Sequence, residues 1–122
     1  VGITPTPLDR FGRPSTKVAK TALGAERTLP WEHVPAILPL VARLKKDGVK
    51  IIAIEQATQS VDYKKVTIDG PVAFILGNEV DGISKEVLSE VDIIAEIPMA
   101  GSKESLNVSV AGGVAIFRML DR

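Results

Sequence analysis

Val72-Ala73-Phe74-Ile75-Leu76-Gly77-Asn78-Glu79-Val80-Asp81-Gly82 is the stretch that decides the fold class. Five apolar residues run without a polar break and stop at Gly77. So short a run, with no alternation, fits a strand buried on both faces. Ile51-Ile52-Ala53-Ile54 and Ile93-Ile94-Ala95-Glu96-Ile97 have nearly the same character. Three such runs predict a parallel sheet covered by helices on both faces, an α/β architecture. In open sheets of this kind, ligand sites lie outside the carboxyl ends of the strands.

Working outward, helical spacing surrounds these strands. Lys17 to Ala25 reads as a short helix on Val18, Ala22 and Ala25, with Ser15 or Thr16 as N-cap. Pro30 or Pro35 opens a longer helix through Lys46, with Ile37, Leu40, Val41 and Leu44 as its apolar stripe and Gly48 as its stop. Ser84 to Val91 reads as a short helix. A last helix runs from near Ser105 to about Leu120. It is apolar nearly all round, so it needs cover on more than one side, most simply from another subunit. No repeat, low-complexity tract or linker interrupts the chain, which reads as one domain over residues 1–122.

Composition narrows the class. Hydrophobic residues make up 45% of 122, too many for a disordered chain. No apolar stretch approaches the ~20 residues of a membrane span, and the first residues lack the pattern of a signal peptide. With no Cys there is no thiolate zinc site, and with His33 as the only His a multi-His metal site or a His-centred triad has little support. No metal is expected. Lys+Arg and Asp+Glu balance at 15 each, so any attraction for nucleic acid must be local. Arg10, Arg13, Lys17 and Lys20 supply one local cluster, in and after a Pro/Gly loop; a plain solvated loop fits them too.

Two strand ends carry the candidate chemistry. Gly77-Asn78-Glu79-Val80-Asp81-Gly82 offers a close backbone approach and three polar side chains. Alone it reads first as a turn, with Ser84 capping the helix beyond. Ile97-Pro98-Met99-Ala100-Gly101 ends the next strand, because Pro98 removes a ladder donor. Ser105-Leu106-Asn107 then opens the last helix. Ser105 fits an N-cap, whereas Asn107 inside so apolar a first turn calls for a specific hydrogen bond, to protein or ligand. Gly77 and Ile97 are 20 residues apart, a spacing that suits one composite site.

In combination these segments resemble the second and third motifs of the SpoU/TrmH group of SPOUT RNA methyltransferases. Leu76-Gly77-Asn78-Glu79 with Asp81-Gly82-Ile83 is similar to the second. Ile97-Pro98-Met99, Gly101 and Ser105-Leu106-Asn107-Val108-Ser109-Val110-Ala111 are similar to the third. Upstream, Gly2-Ile3-Thr4-Pro5, Lys20-Thr21-Ala22-Leu23-Gly24-Ala25-Glu26 and Ile54-Glu55-Gln56 fit the same group. The resemblance implies an α/β domain with a C-terminal trefoil knot, working as a homodimer; the absence of Cys fits a reducing cytoplasm. It implies an S-adenosylmethionine-dependent enzyme that methylates a ribose 2′-hydroxyl of tRNA or rRNA. By motif position, Leu76, Gly77, Ile97, Met99 and Leu106 would hold the cofactor. Glu79, Ser105 and Asn107 would face the reacting nucleotide.

The family's first motif, which carries an Asn and an Arg, falls before the segment that resembles Val1–Thr4. The chain therefore reads as N-terminally truncated relative to the family. A non-catalytic module that binds RNA or a partner and dimerises is the alternative reading. A third is a different α/β nucleotide-binding domain.

Overall fold

The computed structural model describes residues 6–100 and 106–121. They fall into two compact units, Val1–Ile37 and Leu38–Arg122. In the first, a loop closed between Pro7 and Ser15 leads into α1 (Thr16–Ala22) and α2 (Ala25–Thr28). The helix expected over residues 17–25 is thus two pieces. Leu23 turns into the left-handed region (φ 54°) and ends α1, and the Glu26 carboxylate accepts the Gly24 N–H at 2.9 Å to begin the next turn. Ser15 stands at the expected cap position, but its side chain accepts no capping bond.

The second unit holds the sheet. Its elements are α3 (Ile37–Lys46), β1 (Lys50–Ile54), β2 (Val61–Asp62), a 3-10 turn (Tyr63–Lys65), β3 (Val72–Leu76), α4 (Lys85–Glu90), β4 (Ile93–Glu96) and α5 (Val108–Leu120). The strand order is β2-β4-β1-β3 and every pairing is parallel. Ile52 of β1 stands beside Phe74 of β3 and Ile93 of β4, so β1 is central. That position explains its composition: Ile51, Ile52 and Ala53 are fully buried, on alternating faces. One face packs Ile52 and Ile54 with Ala95 of β4 and with Ala115 and Met119 of α5. Ile51 and Ala53 face the other way. Val41 of α3, Val87 of α4 and Ile94 of β4 are also buried and lie outside that cluster. The α/β reading and the parallel sheet with helices are borne out.

Boundaries moved for identifiable reasons. The long helix starts at Ile37, not at Pro30 or Pro35. Pro39 occupies its first turn instead, where a missing N–H costs no intrahelical bond. Gly48 closes the helix end at φ 80°, a conformation that favours glycine. Ser84 caps α4 as expected, its side chain accepting the Val87 N–H at 3.3 Å. β2 was not anticipated; its two residues pair with Ala95 and Glu96. The implied knot concerns the C-terminal part, of which residues 101–105 lie outside the described residues.

Candidate functional site

The carboxyl ends of β1, β3 and β4 open onto one cleft of about 1140 Å³ in the second unit. Its walls come from Ile54 to Gln59 at the end of β1, Leu76 to Ile83 at the end of β3, Glu96 and Ile97 at the end of β4, and Leu106 to Val108 at the start of α5. The two strand ends singled out in the sequence thus line one cleft.

The turn after β3 folds back on itself. The Asn78 side-chain oxygen accepts the N–H groups of Val80 at 2.9 Å and Asp81 at 2.7 Å, while the Gly82 N–H donates to the Asn78 carbonyl at 3.1 Å. Gly77 lies against the far side of this turn. A Cβ there would come within 2.7 Å of the Gly82 oxygen and the Ile83 nitrogen, so no other residue fits unless the backbone moves. Gly82 adopts φ 65°, a conformation that favours glycine, and an added Cβ would meet the carboxylate end of Glu55. The half-buried Glu55 carboxylate accepts the Ile83 N–H at 3.1 Å and the Gln56 N–H at 3.0 Å, and so ties the end of β1 to the turn. In sequence, Glu55 stands out only as part of the segment Ile54-Glu55-Gln56. Nothing in the local pattern gave it this role, because its partner lies 28 residues on.

The expected site residues distribute unevenly. Leu76, Gly77, Ile97 and Leu106 line the cleft, and so do Glu79 and Asn107. Glu79 is exposed on the turn. Met99 is half-buried beyond the exit of β4 and is not part of the cleft wall. Ser105 lies outside the described residues. Asn107 needs correction as to its place: it precedes the helix rather than sitting inside its first turn. It is the N-cap of α5, its side-chain oxygen accepting the Ser109 N–H at 3.0 Å and the Ser109 hydroxyl at 2.5 Å. Its oxygen therefore has a structural use. Its amide NH2 has no hydrogen-bond partner among the described residues.

The last helix meets the sheet through Gly112, where a Cβ would sit 3.0 Å from Leu76 Cδ1. That contact places α5 directly against the cleft wall. Gly113 faces open space, so only the first of the two glycines is required by the sheet. Val110, Val114 and Phe117 recur at helical spacing on the exposed side, with Phe117 83% exposed.

The charges in the cleft are mostly negative. Glu55, Glu79, Asp81 and Glu96 contribute carboxylates, against Lys85 as the one lysine or arginine of the described wall. Ile54, Leu76, Ile97, Leu106 and Ala111 add apolar residues to the wall. Such a lining suits a ligand with an apolar, uncharged ring system and a positive centre, and disfavours one led by phosphates. S-adenosylmethionine, with its adenosine and sulfonium, fits that donor set. The volume exceeds what many small-ligand sites need, on the order of 300–1,000 Å³.

The SpoU rRNA Methylase family model matches residues 6–117. The 23S rRNA (guanosine-2′-O-)-methyltransferase RlmB of Ralstonia nicotianae is 38% identical over 111 residues, covering 91% of this chain and 44% of that protein. The tRNA (guanosine(18)-2′-O)-methyltransferase of Borreliella burgdorferi is 37% identical over 82 residues, 67% of this chain and 38% of that one. The chain thus spans less than half the length of these relatives. Among solved structures, the A. aeolicus TrmH/SpoU tRNA modifying enzyme superposes with a TM-score of 0.77 at 30% identity, over 83% of this chain and 51% of that chain. The AdoMet-bound rRNA methyltransferase from Sinorhizobium meliloti gives 0.82 at 27% identity, over 97% and 42%. With the cleft at the strand ends and a family match that runs through both motifs, this chain belongs to the SpoU rRNA methylase family.

Proposed function

We propose that the chain carries the cofactor-binding and dimerising part of an S-adenosylmethionine-dependent methyltransferase that acts on a ribose 2′-hydroxyl of rRNA or tRNA. The observation that carries this reading is the composite cleft, to which Gly77, Ile97 and Leu106 bring three separate chain segments. The relatives named above, an rRNA and a tRNA 2′-O-methyltransferase, support the substrate class. An AdoMet-bound relative supports the cofactor. The family match runs through both compact units, which supports one methyltransferase domain over residues 1–122. A cytoplasmic location goes with an RNA substrate.

When bound, S-adenosylmethionine supplies a methyl group already activated by its sulfonium. The protein's own task is then mainly to hold the reactants in line. Leu76, Ile97 and Leu106 would hold the cofactor, and the close contact at Gly77 keeps the turn in shape. Glu79 and Asn107, with Ser105 from the segment outside the described residues, orient the nucleotide. Asn and Ser make hydrogen bonds but are poor bases, so these residues position the hydroxyl rather than deprotonate it. Homodimer formation is assigned to the exposed Val110, Val114 and Phe117 side of α5.

Transfer of labelled methyl from S-adenosylmethionine to RNA by the full-length protein tests the reading. Label should appear in nucleotides whose adjacent phosphodiester bond has become resistant to alkali, the mark of a blocked 2′-hydroxyl. Binding of cofactor and RNA without transfer would favour the non-catalytic module instead.

A further inference from the structure

Residues 7–15 of the first unit form a small closed loop with an unusual tip. The Ser15 N–H donates to the Pro7 carbonyl at 2.7 Å, and Leu8 pairs with Pro14 as an antiparallel bridge. Inside, the Asp9 carboxylate accepts the N–H groups of Phe11 at 2.8 Å and Arg13 at 3.0 Å, and the Arg13 Nε–H at 3.3 Å. Asp9 is thus used up in shaping the loop. The tip it fixes holds Phe11 65% exposed, with the guanidinium carbons of Arg10 and Arg13 at 4.8 and 5.0 Å from the ring centroid. Lys17 and Lys20 follow on α1, both exposed. Residues 9–20 therefore hold four cations and one carboxylate in a chain that is neutral overall.

We propose that this loop is a contact for single-stranded RNA, in which an unpaired base stacks on the Phe11–arginine group while Arg10, Arg13, Lys17 and Lys20 meet the backbone phosphates. The proposal rests on the RNA reading above and adds where the RNA is held. Exposed aromatic rings and guanidinium planes are the surfaces on which unpaired bases stack. A duplex would offer the phosphates but no free base face, and an acidic protein would leave the ring without a flat partner. The acidic cleft of the second unit sharpens the case. Its four carboxylates against Lys85 do not attract a polyanion, so the attraction for phosphates has to come from elsewhere in the protein.

The test is fluorescence anisotropy on the full-length protein, with a labelled single-stranded oligoribonucleotide and the same sequence as a duplex. Phe11→Leu keeps the apolar bulk and removes the ring. It should weaken single-strand binding by about 5- to 50-fold and leave duplex binding nearly unchanged. Phe11→Tyr, which keeps the ring, should stay within about twofold of wild type. Arg10→Gln with Arg13→Gln should weaken both probes and lower the slope of log affinity against log salt by about 1–2. Wild-type affinity in Phe11→Leu, an unchanged salt slope in the double variant, or a wild-type protein that binds neither probe would overturn the proposal. So would competition by polyglutamate as effective as that by unlabelled RNA. Cofactor titration separates the two readings. Intact S-adenosylmethionine binding with silent loop variants sinks the loop alone, whereas lost cofactor binding in the wild type counts against the functional reading.

Discussion

The oxygen of Asn107 accepts the Ser109 N–H at 3.0 Å, so Asn107→Ala removes a helix cap before it removes anything else. Loss of such a cap costs about 1 kcal/mol, enough to lower the melting temperature by several degrees. Asn107→Asp keeps an oxygen at the cap and should restore stability. It lacks the amide NH2, and methyl transfer in the full-length protein should therefore fall in both variants. Thermal melts beside transfer assays separate the two roles, and full transfer by Asn107→Asp would remove the amide from the site. Glu55 offers a second residue-scale prediction. Glu55→Ala frees the Ile83 N–H from its acceptor, so amide exchange there should speed up and S-adenosylmethionine affinity should drop several-fold. Unchanged exchange at Ile83 would show that the turn holds its shape without the carboxylate. A specific hydrogen bond at Asn107 was legible in sequence, but neither its place as the cap nor the Glu55 tie was. The cap at Asn107 depends on where α5 begins, and the Glu55 bond joins segments 28 residues apart.

Among the elements, the central strands were readable because their burial is nearly complete. Ile51 and Ile52 are fully buried, and only apolar residues tolerate that without partners. β2 was unreadable for the opposite reason: its two residues are an edge pairing, with Val61 exposed, and no periodicity marks so short a strand. Strand order depends on pairings such as Val61 with Ala95, which no local pattern encodes. The two-sided apolarity of α5 was legible, and its inner side is accounted for by Gly112, Ala115 and Met119. The outer side leads to the third prediction. Phe117 makes the largest exposed apolar surface on the helix, and Phe117→Glu should leave the melting temperature of the separated chain nearly unchanged while abolishing a dimer in sedimentation. A wild-type chain that sediments as a monomer would contradict the dimer assignment outright.

At the level of the molecule, net neutrality conceals a division of charge. The segment over residues 9–20 is basic, and the cleft of the second unit is acidic. A neutral total therefore says little about partners, which is why composition alone left the RNA question open. The cleft's own character, apolar walls with carboxylates, favours a sulfonium-bearing cofactor over nucleotides that arrive through their phosphates. The most direct measurement is calorimetric titration of this chain with S-adenosylmethionine, ATP and NAD, repeated on Gly77→Ala. One saturable S-adenosylmethionine site per chain is expected, with no binding of ATP or NAD. In Gly77→Ala that binding should be lost, because the added Cβ displaces the turn against Gly82 and Ile83. No binding by the wild type, equal binding of ATP or NAD, or wild-type affinity in Gly77→Ala would contradict the assignment of the cleft.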